Sequence, residues 1–253
     1  MLKGSFTDEK QILSFLAPLR IIGALTGENG FNVCFSKNKD DEVIAAIYAK
    51  NLSMGVMIIH EWSKLFNGFE LDKDEQKIGI IKYNEFIKLF SVFDVSKEIT
   101  FEVDDVGFLK LEQNGSVLDF RTVDHNLISE GKKTFRSNVT WLTEFEYDKK
   151  MEQVVNAMKV LGSEQYLYIK GDADKKKIFF TIRNKEANTN KYSINLDFDL
   201  ETDFDMAFRK DVLMSIFDCK AASKKIRISD VIINIEINDN NTSTNFFVAK
   251  SIK

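Results

Sequence analysis

The chain has 253 residues, 44% of them hydrophobic, with 22 Phe, a single Pro, 12 Gly and a formal net charge of −4 from 35 basic and 39 acidic side chains. That composition excludes a disordered tail and gives either one large domain or two ordinary ones. It also excludes an indiscriminate polyanion binder, since positive charge would have to be gathered on one surface before nucleic acid could be held.

Met1-Leu2-Lys3-Gly4-Ser5 leads directly into Phe6, without the apolar run and cleavage site of a signal peptide, and no apolar run approaches membrane-spanning length. A soluble, cytoplasmic protein with no membrane partner is expected. Cys34 and Cys219 stand far apart, so two thiols in a reducing compartment are expected rather than a disulfide framework or a zinc site.

Met1–Phe6 reads as a short strand. Thr7 is the expected N-cap of a first helix, with Asp8 and Glu9 in its first turn, where the helix dipole favours anions. Ile12, Leu13, Phe15, Leu16 and Leu19 form its apolar side and Lys10, Gln11 and Ser14 its polar side. Pro18 predicts a kink or an end, because proline removes a helical donor and clashes with the preceding turn. Glu28-Asn29-Gly30 signals a turn. Phe31–Ser36, Glu42–Lys50 and Met54–Trp62 read as strands around the charged turn Lys37–Asp41, and Phe69–Ile80 as a less regular one.

From Lys82 to Asp124 the period changes. Tyr83, Phe86, Ile87, Leu89, Phe90 and Phe93 share one helical face, and Asn84, Lys88 and Ser91 the other. Ile99, Phe101 and Val103 then alternate with polar residues, as in a strand with one buried face. Phe108–Gln113 and Ser116–Val123 follow, joined by Asn114-Gly115, whose tolerance of positive φ suits a tight hairpin. Thr122–Thr134 reads as a polar connector in which Leu127 and Ile128 form an exposed apolar pair.

Arg136–Tyr147 reads as a strand leading into a third helix, with Met151, Val154, Val155, Met158 and Leu161 inward, Lys149, Gln153, Asn156 and Lys159 outward, and Gly162 as C-cap. Tyr166–Lys170, Lys177–Asn184 and Tyr192–Phe198 alternate as strands. Arg209–Lys220 reads as a fourth helix burying Val212, Leu213, Ile216 and Phe217, before strands at Lys225–Ser229, Val231–Asn238 and Thr244–Ile252. Each half thus runs strand, helix, strands, helix, strands. This predicts an α+β fold built by internal duplication, with domains at 1–124 and 135–253 joined by a connector at 125–134.

Little in the sequence speaks for catalysis. His60 lies in an apolar strand and His125 in the connector, while Asp40-Asp41 and Asp104-Asp105 fit polar turns. With no phosphate loop, metal-ligand spacing or nucleophile motif, neither an enzyme nor a bound cofactor is expected.

The order of parts resembles the sliding DNA clamps, both the proliferating cell nuclear antigen and the processivity factors of T4-like bacteriophages. The resemblance spans the chain and is carried locally by Phe86-Ile87-Lys88-Leu89-Phe90, Ile216-Phe217-Asp218-Cys219-Lys220-Ala221 and the ending Asn245-Phe246-Phe247-Val248-Ala249-Lys250-Ser251-Ile252. It implies two-domain subunits closing head to tail into a ring, a homotrimer, with helices around a hole for duplex DNA. On that reading Lys10, Lys88, Lys149, Lys150, Lys159, Arg209, Lys210 and Lys220 contact phosphates without reading bases. Asp211 and Asp218, near the free face of the fourth helix, depart from the pattern. The strand holding Val117, Asp119 and Arg121 would pair across subunits with that holding Tyr192, Ile194 and Leu196. Val43, Leu127, Ile128, Phe247, Val248 and Ala249 match the region that captures partner peptides.

The function this implies is a DNA polymerase processivity factor, placed by a clamp loader on double-stranded DNA. Two rivals remain: a monomeric or dimeric processivity subunit holding DNA by charge, and a β-rich interaction module unrelated to DNA. The small, proline-poor, Lys- and Asn-rich chain would suit a viral replication protein acting in host cytoplasm or nucleoid.

Overall fold

The computed structural model describes residues 1–135, 138–161, 165–183, 191–219, 223–239 and 241–251. Contacts gather the chain into two units, one of Met1–Asn51, Ile58–Thr134 and Asn240–Thr244, the other of Leu52–Met57, Phe135–Asp239 and Asn245–Lys253. Among the described residues, no helix is long and apolar enough to cross a membrane.

In chain order the first half forms β1 (Leu2–Phe6), α1 (Glu9–Thr26), β2 (Phe31–Lys37), β3 (Val43–Asn51), β4 (Val56–Trp62), β5 (Glu70–Leu71), β6 (Glu75–Ile80), α2 (Tyr83–Leu89), β7 (Ile99–Val103), β8 (Phe108–Gln113) and β9 (Ser116–Arg121). Strands β5-β1-β7-β8-β9 make one sheet, and β4-β3-β2-β6 are neighbours in another. The stretch expected as one strand over 69–80 is two, because Asp72-Lys73-Asp74 interrupts the alternation with charge. Asn114 and Gly115 take the hairpin turn with φ of 49° and 81°, the left-handed conformation that Asn and Gly tolerate best.

Helix α1 corrects two expectations. Its cap is Asp8, not Thr7: the Asp8 carboxylate accepts from the Gln11 N–H at 2.9 Å, and Gln11 Oε1 accepts from the Thr7 N–H at 2.8 Å. This reciprocal bonding satisfies donors that a helix start leaves open. The helix also runs on through Pro18 to Thr26. Proline has no N–H to give the carbonyl four residues back, and that carbonyl, of Ser14, accepts instead from the Trp62 indole at 3.1 Å. Ile22 and Leu25, both buried, extend the apolar face past the proline.

Aromatic rings fill the core of this unit. Phe15 lies 5.3 Å from Phe6, 5.5 Å from Trp62 and 6.0 Å from Phe101, ring centre to ring centre. His60 is fully buried, its ring 4.2 Å from Trp62 and its Nδ1 2.6 Å from the Thr244 hydroxyl. Burial pushes its pKa down to about 3, since desolvation disfavours the imidazolium. The structural role expected for His60 is the one it has.

The second half forms β10 (Trp141–Glu146), α3 (Lys149–Val160), β11 (Tyr166–Asp172), β12 (Lys177–Arg183), β13 (Tyr192–Asp197), β14 (Phe204–Arg209), α4 (Lys210–Phe217), β15 (Ser223–Ser229), β16 (Ile232–Asp239) and β17 (Thr242–Ala249). Strands β13-β12-β11-β14 make one sheet, and β10-β15-β16-β17 are neighbours in another. Asp148 caps α3, accepting from the N–H groups of Lys150 and Met151 at 2.9 Å. Leu161 follows the last turn, and Gly162, expected as the C-cap, lies outside the described residues. Strand β14 was not expected; it ends at Arg209, so α4 starts one residue later than its apolar spacing indicates.

Strand for strand the halves correspond: β1-β7-β8-β9 with β10-β15-β16-β17, and β4-β3-β2-β6 with β13-β12-β11-β14. The buried residues of the leading helices also match in spacing, Ile12, Phe15, Leu16 and Leu19 in α1 against Met151, Val154, Val155 and Met158 in α3. The fold is α+β, two similar arrangements of antiparallel sheets packed on two helices each.

Candidate functional site

An amphipathic helix on a sheet leaves its other face to solvent, and several cations stand on those faces. Lys10 on α1, Lys88 on α2 and Lys149 and Lys150 at the start of α3 are exposed, with no carboxylate at ion-pair distance among the described residues. Lys88 has Asn84 and Ser91 beside it, also exposed.

Arg20 joins Lys10 on the exposed face of α1, ten residues on and within one helical quadrant of it at about 100° per residue. It was missed because Pro18 was expected to close the helix; the apolar spacing Leu19, Ile22, Leu25 was the signal that the helix continues.

Around α4 the expected cations are otherwise engaged. Lys159 pairs with Asp218, and Arg209 with Asp211 while also donating to Ser53 O at 3.4 Å. Lys210 is only 5% exposed and donates to the Leu161 carbonyl, at the C-terminal end of α3. There it satisfies an open carbonyl at the negative pole of the helix, so it is not a phosphate contact. Lys220 lies outside the described residues. Asp211 and Ser215 on α4 and Asp218 just past its end are exposed, leaving that helix with an acidic free face.

Among the strands at the ends of sheets are β9 in the first unit and β13 in the second, six residues each. Among the described residues each pairs on one side only, β9 with β8 and β13 with β12, which leaves backbone donors and acceptors on the other side without a partner there. Val117, Asp119 and Arg121 are exposed, and Tyr192 and Ile194 half-buried. Leu196 is buried and packs into its own unit's core, so it offers a neighbour only its backbone.

The residues matched to a peptide pocket divide. Leu127 is 77% exposed, Phe247 half-buried and Ala249 exposed, whereas Val43, Ile128 and Val248 are buried. The expected exposed pair Leu127-Ile128 is therefore one exposed residue and one anchor. Ile128 packs against Gly79, where a Cβ would meet the Ile128 Cδ1 at 3.1 Å and the Val123 carbonyl at 2.4 Å. Phe247 stacks on Phe135, ring centres 4.2 Å apart.

Residues 123–131 lie along the β2-β3-β6 face through further bonds. Val123 N–H donates to Gly79 O at 3.0 Å, Gly131 N–H to Tyr48 O at 2.6 Å and Asn32 Nδ2 to His125 O at 3.0 Å. Glu130 accepts from Asn32 at 2.8 Å and from Lys77 at 3.0 Å. Burial pushes the Glu130 carboxyl up, but these bonds outweigh it and hold the group below its usual range. Beside it, burial and the Glu130 charge raise the Cys34 thiol to about 12, which keeps it protonated and inert. Among the described residues no group of three or more His, Cys, Asp or Glu could hold a metal ion.

No protein-family model matches the sequence, and a comparison with curated proteins finds no match. Solved structures match it along its whole length. The proliferating cell nuclear antigen (PCNA) of A. fulgidus, solved with the C-terminal region of FEN-1, aligns with a TM-score of 0.70 at 11% identity over 100% of this chain and 99% of its own. The PCNA2–PCNA3 complex of Sulfolobus tokodaii aligns at 0.68 and 12% identity over 98% of each chain. The Helicobacter pylori beta clamp bound to a DNA ligase peptide aligns at 0.73 and 11% identity over 99% of this chain and 66% of that one. The fold of this chain is that of the sliding clamps.

Proposed function

We propose that the chain is a DNA sliding clamp, a processivity factor without catalytic activity of its own, whose subunits close into a homotrimeric ring around duplex DNA and tether a polymerase after loading. The observation that carries this reading is the pair of open strand edges, β9 in one unit and β13 in the other. Two different edges on one subunit make a heterologous contact, and such a contact generates a closed ring when its rotation closes. Joining them also covers backbone groups that otherwise invite aggregation. The PCNA2–PCNA3 complex is a precedent for chains of this fold associating.

DNA contact falls to the helix-face cations Lys10, Arg20, Lys88, Lys149 and Lys150, for which no ion pair is seen among the described residues. They act as point charges on phosphates, which positions the protein without reading sequence. Few and unpaired contacts suit a ring that holds DNA by topology, because tight ones would stop it sliding. Leu127, Phe247 and Ala249 supply apolar surface for partner peptides, as the FEN-1 and DNA ligase peptides are bound by the two solved clamps.

Solution mass measured together with a small-angle scattering profile tests the proposal. Three subunits and a hollow profile are expected. A mass of one subunit at micromolar concentration ends the ring reading and leaves a processivity subunit that holds DNA by charge.

A further inference from the structure

The duplication places Val123 and Ser251 at corresponding points: Val123 N–H donates to Gly79 O on β6 at 3.0 Å, and Ser251 N–H to Ala207 O on β14 at 2.7 Å. With Gly79 set against Ala207, the strand ladders match Asn32 to Tyr168, Cys34 to Lys170, Lys77 to Asp205 and Ala46 to Phe179. These residues form corresponding faces of the β2-β3-β6 and β11-β12-β14 sheets, the sides turned away from the helices.

On the first unit residues 123–131 cover that face, and Asn32 and Cys34 are buried beneath them. On the second unit the described residues leave the corresponding face as a concavity of about 300 Å³. Phe179 is half-buried in it, and Tyr168 lies under the Arg183 guanidinium at 4.8 Å from the ring centre. Four cations line it (Lys170, Lys175, Arg183 and Lys191) against two carboxylates, Asp172 and Asp205. Lys175 is taken up by Asp172 at 2.6 Å.

We propose that this face of the second unit docks an extended acidic segment of a partner protein, lying along the sheet face as 123–131 lies along the first but anchored by different residues. A carboxylate of the segment pairs with Lys170 and Arg183, and an apolar side chain rests on Phe179. The molecule itself supplies a precedent in kind: Glu130 lies 3.7 Å from the Cys34 Sγ, whose counterpart is Lys170, and Ile128 against Gly79 is an apolar anchor two residues away. Asp205 and Ala207 stand where the first unit has Lys77 and Gly79, so on the second unit the cation and the apolar seat are moved to Lys170 and Phe179. A carboxylate reads the Arg183 fork in bidentate fashion. A continuous run of phosphates is disfavoured, because Asp172 and Asp205 stand in the same concavity.

The test is fluorescence anisotropy on the full chain, without DNA, using a labelled decapeptide of residues 122–131, TVDHNLISEG. Binding is expected, weakened about tenfold by Lys170→Glu or Arg183→Glu. It should be recovered on Lys170→Glu when the peptide carries Glu130→Lys. Failure of the peptide to bind, indifference to both substitutions, or a decathymidine strand binding more tightly than the peptide each overturns the proposal. Neither assembly nor duplex DNA enters the measurement, so a negative result leaves the ring reading where it stands.

Discussion

Phe15 on α1 and Val154 on α3 occupy the same place in the two units, the second of four buried positions spaced three, one and three residues apart. Around Phe15 stand Phe6, Trp62, Phe66, Phe86, Phe90 and Phe101, all with ring centres within 6.4 Å. In Val154's unit the buried residues are mainly aliphatic, among them Met151, Val155, Met158, Ile169, Ile178, Ile182 and Leu213. One arrangement of strands has been filled twice with different side chains. What the duplication preserves is the spacing of buried positions, which decides the elements, and not the volume at any one of them.

The sharpest way to break that comparison is to truncate both positions. Phe15→Ala is expected to cost about 3–5 kcal/mol, because a ring with aromatic neighbours on many sides leaves a void they cannot fill. Val154→Ala removes two methyl-sized groups and should cost about 2 kcal/mol, the lost burial plus a smaller void. Urea unfolding of both variants reads the difference. Equal losses would mean that the aromatic core relaxes as readily as the aliphatic one.

Spacing is also what made the fold legible in the sequence. Strands such as Phe108–Gln113 have the bounds their alternation predicts, and Asn114-Gly115 gave the hairpin because few other pairs accept its backbone. Legibility failed where a distant partner overrode a local rule. Pro18 should stop a helix, but Trp62, far along the chain, supplies the missing donor, and with the helix end went Arg20. Strand β14 was missed because Asp203 and Asp205 dilute its apolar pattern, although its pairing with β11 runs unbroken from Phe204 to Arg209. At the candidate site, residue type identified the cations but not their partners. Lys210 and Lys149 look alike in sequence, yet one is buried against the end of a helix and the other is exposed.

A second difference between the units is titratable. Both histidines of the chain, His60 and His125, lie in the first unit, and His60 is held neutral with its pKa lowered from 6.5 to about 3. A depressed pKa means that the unfolded chain takes up a proton the folded one refuses. The stability that neutral His60 contributes is therefore complete above pH 6.5 and lost progressively as pH falls toward 3. Between pH 6.5 and 5 the loss should be about 2 kcal/mol, at about 1.4 kcal/mol per unit. His60→Gln should flatten unfolding free energy over that interval, whatever the variant's stability at neutral pH. An unchanged slope would show that the burial of His60 is not what makes the first unit acid-sensitive.

The smallest expected effect bears on the covered face. Glu130 and Lys77 are both mostly buried, with 26% and 20% of their side chains exposed, so their bond is worth more than a surface ion pair, at about 1 kcal/mol. Because its carboxyl is held below the usual 4.5, that contribution is present above pH 4.5 and fades as the pH drops further. Glu130→Gln keeps the shape and removes the charge. Amide exchange at Gly131, which donates to Tyr48 O at 2.6 Å, should quicken about fivefold, the amount expected when about 1 kcal/mol of local stability is removed. Exchange at Ser251, bonded to Ala207 O at the corresponding point of the second unit, should stay as it was. If both amides quicken together, the segment over the first unit is not an independent latch and opens only when more of the molecule does.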